Sequence, residues 1–101
     1  MAVERYRIRQ VRELSVAEVQ ALAEIGSGLG DAATSTAQKI TLILRGLGLL
    51  LDGMTQARLL RLTLEDTTTL WAAIQAAHAP ARWYRSPPRT VLITEGRITA
   101  R

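Results

Sequence analysis

Three glycines at positions 26, 28 and 30, in the stretch EIGSGLGDAAT, come nearest in type and spacing to a ligand-binding loop. Glycine lets backbone N–H groups approach a phosphate, but that use needs a loop that follows a strand and opens a helix. Here the run follows a segment of helical periodicity. It therefore meets the carbonyl end of a helix, where the dipole disfavours an anion. The dinucleotide spacing G-x-G-x-x-G would require glycine at 31, where Asp31 stands, and no Gly-Lys-Ser/Thr triplet closes the run. The glycines are expected to stop or kink the helix, with Asp31 capping a second helix from Ala32 to about Lys39.

The remaining reactive groups are few. His78 is the sole histidine and lies in a helical pattern after Trp71 and Ile74, with no orienting acid close in sequence, so it reads as a core or helix-end residue. Ser27, Ser35 and Thr67 to Thr69 carry hydroxyls without a base beside them. Glu65 and Asp66 suit the start of a helix. The chain has no cysteine, which excludes disulfides, thiolate catalysis and cysteine-bound metals. These residues lead us to expect no enzyme, no catalytic residue, no cofactor and no metal.

The stretch LSVAEVQALAEIGSGLGDAAT resembles the start of the helix of CheC-type chemotaxis phosphatases, L-T-x-x-E-L-x-A-L-x-E-I-G-N-I-G. In that family a glutamate and an asparagine three residues later act on an aspartyl phosphate. Glu24 stands at the first of these positions, and Ser27 stands where the asparagine would be. The resemblance thus carries over half of the pair.

Arginine is the other group with chemical reach. Of 13 basic residues all but Lys39 are arginine, and the net charge is +4. The arginines gather at the two ends of the chain, whereas residues 14–81 hold four basic and six acidic residues. Val3 to Val11 alternates as a strand, with Tyr6 and Ile8 on one side and Arg5, Arg7 and Arg9 on the other, a face for nucleic acid or an acidic partner. Near the other end, Arg82, Trp83, Tyr84 and Arg85 precede Pro87-Pro88. Two adjacent aromatics in extended chain face opposite ways, so one of them is expected to anchor a protein interface.

These residues need a scaffold, and 101 residues provide one domain. With Ser15 as N-cap and Glu18 completing a capping box, a helix is expected from about residue 16. Ile40 to Leu51 fits either a buried strand or a helix face. Ala57 to Glu65 alternates as a strand; Asp66 caps a helix running from Thr67 to Pro80. Val91 to Thr94 and Arg97 to Ala100 form a hairpin across Glu95-Gly96. This order predicts an α+β fold, a small antiparallel sheet with two helices on one face, ferredoxin-like in the first instance or otherwise a helical hairpin with a small terminal sheet. The apolar run Ile40 to Leu51 is too short to span a bilayer, and a soluble, cytoplasmic product is expected. The composition points to a non-enzymatic self-assembling or adaptor module, such as a component of a viral particle or similar repeated assembly. Its partners would be copies of itself or other proteins, with an arginine-rich nucleic-acid-binding domain as the alternative.

Overall fold

The structure, a computed structural model, describes residues 3–79 and 87–101. The order is β1 (Val3–Ile8), α1 (Val16–Gly30), α2 (Thr36–Leu50), β2 (Leu51–Asp52), α3 (Gln56–Leu59), α4 (Leu64–Ala77), β3 (Thr90–Thr94) and β4 (Arg97–Ala100). The four strands form one antiparallel sheet in the order β2-β1-β3-β4. An α+β fold with a small antiparallel sheet is therefore present. Its chain order differs from the β-α-β-β-α-β of a ferredoxin-like arrangement: two helices stand between β1 and β2 and two between β2 and β3, and the strand hairpin is β3–β4 at the end rather than in the middle.

Period-two alternation decides which residues enter the core. Tyr6 lies opposite Val91, Glu4 opposite Ile93, and Ile93 opposite Ile98. On that face Ile8, Val91 and Ile93 are buried against Leu47, Leu50, Leu70 and Ile74 of α2 and α4. The hairpin turn places Glu95 at φ 48° and Gly96 at φ 79°, the paired left-handed conformations that a tight two-residue turn requires.

Helix boundaries are where side-chain capping overrides composition. The predicted box forms: the Glu18 backbone N–H donates to Ser15 Oγ, and the Ser15 N–H donates back to the Glu18 carboxylate. The glycine run does not interrupt α1, which continues through Gly26 and Gly28 and ends at Gly30. Asp31 receives a hydrogen bond from the Ala33 backbone in the connecting turn, while Ser35 with Gln38 caps α2. The ambiguous segment Ile40 to Leu50 is helical, and only Leu51 and Asp52 add to the sheet. Ala57 to Glu65 is not a strand: Thr55 caps α3 and Thr63, not Asp66, caps α4.

Two glycines permit close packing of these helices. A Cβ on Gly46 would stand 2.6 Å from Trp71 Cζ3, and one on Gly28 would stand 2.5 Å from Leu42 Cδ1. The absence of a side chain thus lets α2 approach α4, and α1 approach α2.

Candidate interaction surface

With the helices gathered on one side, the alternate residues of the sheet form an open face. Arg7 is flanked by Asp52 and Thr90; Arg5 lies opposite Leu92, which lies opposite Thr99; Val3 lies opposite Thr94, which lies opposite Arg97. Arg101 extends the register, exchanging backbone hydrogen bonds with Thr90 at 2.8 and 2.9 Å. The face therefore carries four arginines, one aspartate, three threonines and an apolar centre of Leu92 with Val3. Arg5, Arg97 and Arg101 are exposed and, among the described residues, have no acidic partner. Arg7 is held by Glu13 at 2.6 Å and by Asp52 at 3.5 Å. The backbone N–H of Gln10, then the Arg7 guanidinium, hold the Glu13 carboxyl below its ordinary range.

Arg9 is separated from the other two members of the expected arginine face. It lies beyond β1 and turns onto the helices, donating to Glu18 at 2.8 Å and to the Leu49 carbonyl oxygen at 3.1 Å. This contact, together with donation from the Ser15 N–H, pulls the Glu18 carboxyl down to about 2. Arg9 thus fastens the end of β1 to α1 and α2. His78 sits in the same connection: its Nε2 lies 2.7 Å from the Arg9 carbonyl oxygen. It caps the C-terminus of α4, as a helix-end histidine would.

A polar cluster on the covered side was not read from the sequence. Arg58 Nε donates to both oxygens of Glu4, at 2.8 and 3.1 Å, and the Tyr6 hydroxyl donates to Glu4 at 3.0 Å. The hydrogen bond from Arg58 lowers the Glu4 carboxyl, while burial, then the adjacent carboxylate, raises the Tyr6 hydroxyl. Both Glu4 carboxylate oxygens are hydrogen-bonded within this group, which clips α3 to β1. The alternation of Glu4 with Arg5 was visible in sequence, but the 54-residue separation from Arg58 was not.

The helical side leaves apolar surface uncovered. In α1 only Ile25 is buried, although the helix has 15 residues; Val16 is 77% and Val19 38% exposed. Leu60 and Leu64, around the α3–α4 corner, are also exposed. A groove of about 590 Å³ runs between α1, α2 and α3, with Ile25, Leu44, Met54 and Leu59 in its lining and Leu60 at its edge.

Glu24 and Ser27 are both exposed on the outside of α1, and no acid–base pair forms around them among the described residues. Glu65 and Asp66 lie in the first turn of α4. No group of three metal-ligating side chains occurs among the described residues. No helix there is long and apolar enough to cross a membrane. The expected interface anchor, Arg82, Trp83, Tyr84 and Arg85, lies outside the described residues. In comparisons with known proteins, no family model, curated protein or solved structure matches the chain.

Proposed function

We propose that this protein is a non-enzymatic assembly or adaptor module that works by binding other protein chains, its own copies first among them. The observation that carries this reading is α1: an amphipathic helix of 15 residues that buries one side chain and turns valines to solvent. Helices in small domains are stabilised mainly by burying an apolar face. An exposed Val16 and Val19 on the outer side of α1 therefore leave surface whose burial would come from a partner. An Arg82 to Arg85 anchor would extend the same function. A place in a viral particle or similar repeated assembly, built inside the cell, is consistent with this chemistry.

Static light scattering across low-micromolar to near-millimolar protein tests the reading. The expected result is a mass rising above the 11.1 kDa of one chain. A constant monomer mass over the whole range, with no protein partner that binds α1, would overturn it.

A second reading has its own support in the four arginines on the open sheet face. They could pair with the phosphates of nucleic acid, whose affinity would then fall steeply with salt. Among the described residues the face carries no aromatic side chain on which bases could stack as they do on single-strand-binding sheets.

A further inference from the structure

We propose that the open face of the sheet receives the outer face of α1 from a second copy of this chain, so that copies join head to tail. This rests on the assembly reading above and supplies its interface. The receiving surface has an apolar centre, Leu92 and the 55%-exposed Val3, surrounded by Arg5, Arg97 and Arg101. A sheet face with apolar residues is buried in most folds by a layer of helix. Among the described residues the helices occupy the other side only.

The helix that fits is marked by its charge. From Leu14 to Gln38 the sequence contains no basic residue and three acids, Glu18, Glu24 and Asp31. Glu18 is held by Arg9. Glu24 and Asp31 are exposed and make no ion pair among the described residues. They are two helical turns apart, about 10.5 Å along the axis. Arg97 and Arg101 are four residues apart in an extended strand, about 13 Å. Long arginine side chains bridge that difference: with Glu24 at Arg97 and Asp31 at Arg101, the helix crosses the Leu92 row between them and carries Ala23 and Val19 toward the end row that holds Val3.

Charge complementarity is the reason for choosing this occupant. An acidic apolar helix matches both parts of the face, whereas a phosphate backbone would match the arginines and leave Leu92 and Val3 facing charge. The donor helix and the receiving face lie on opposite sides of the sheet. The contact is therefore heterologous, and repetition gives a ring or an open filament according to the rotation between copies.

Charge exchange in the full-length chain tests the proposal. One variant carries Glu24→Arg with Asp31→Arg, the other Arg5→Glu with Arg97→Glu, and circular dichroism checks that each is folded. In sedimentation velocity each variant alone should associate about tenfold or more weakly than the wild type, because like charges meet at the contact. An equal mixture should regain association, since the basic helix of the first then meets the acidic sheet of the second, and the acidic helix of the second meets the basic sheet of the first. If a reversed variant unfolds, Glu24→Gln with Asp31→Asn and Arg5→Gln with Arg97→Gln carry the test, each expected to weaken association. A wild type that associates while the substitutions leave it unchanged, or a mixture that stays dissociated, overturns this interface and leaves the assembly reading standing. A wild type that remains monomeric removes this interface, and removes the assembly reading as well if no other protein binds α1. Loss of duplex-oligonucleotide binding on Arg5→Glu with Arg97→Glu, with association intact, assigns the face to nucleic acid instead.

Discussion

The two faces of the sheet are made by alternate residues of the same strands, and their polar groups meet different fates. On the covered face Glu4 is bonded by Arg58 and Tyr6, and Ile8, Val91 and Ile93 are buried. On the open face only Arg7 is paired, while Arg5, Arg97 and Arg101 extend from an apolar centre without acidic partners among the described residues. The covered face spends its chemistry on folding. The open face holds charge that folding does not use, so substitutions there should separate association from stability.

The largest difference should come from the core side of β1. Ile8→Ala, at a residue 1% exposed, should destabilise the fold by about 2–5 kcal/mol in urea unfolding through lost burial and a residual cavity. Next, Gly46→Ala should cost about 1–3 kcal/mol, since the added methyl meets the Trp71 ring and α2 and α4 must part. A change in Trp71 fluorescence should accompany that loss. An unaltered midpoint for either variant would mean that the helices do not pack on the sheet as described.

Breaking the clip with Arg58→Met should have a smaller effect, about 1 kcal/mol or less, because the pair is partly open to water. The Arg9–Glu18 fastening should instead show itself through pH. Glu18 titrates at about 2 rather than 4.5, so its contribution is complete above about pH 4.5 and is lost as the pH falls toward 2. The stability difference between wild type and Arg9→Gln should shrink over that window in acid-unfolding curves. A difference independent of pH would mean that Arg9 acts through its carbonyl contact alone. Smallest of all, Arg5→Gln with Arg97→Gln should leave stability within about 0.5 kcal/mol of wild type for each site. A larger loss would make the open face part of the folding machinery and remove the contrast.

Much of this framework was legible because the signals are local. The alternation through Tyr6 and Ile8, the Ser15–Glu18 capping box and the Glu95-Gly96 turn each lie within a few residues, and each forms as expected. The misread segments fail for separate reasons, one of tertiary packing and one of helix capping. Three glycines lower the intrinsic helicity of α1, but contact with α2 offsets that loss, and Gly28 lets Leu42 pack close against the helix. In ARLLRLTLE the leucines at 60, 62 and 64 alternate, yet Leu59 is the buried one, because Thr55 and Thr63 cap two helices on either side of a turn. The arginine face was half legible. Arg5 and Arg7 follow from period two, whereas the addition of Arg97 and Arg101 and the diversion of Arg9 depend on strand order and on Glu18.

Amide chemical shifts followed at rising protein concentration report whether the unused surfaces of α1 and the sheet bind protein. Such binding should give saturable changes gathered on two surfaces: Val16, Val19 and Glu24 on α1, and Val3, Arg5, Leu92 and Arg97 on the open sheet face. Shifts that do not change with concentration, or changes confined to other surfaces, would contradict it.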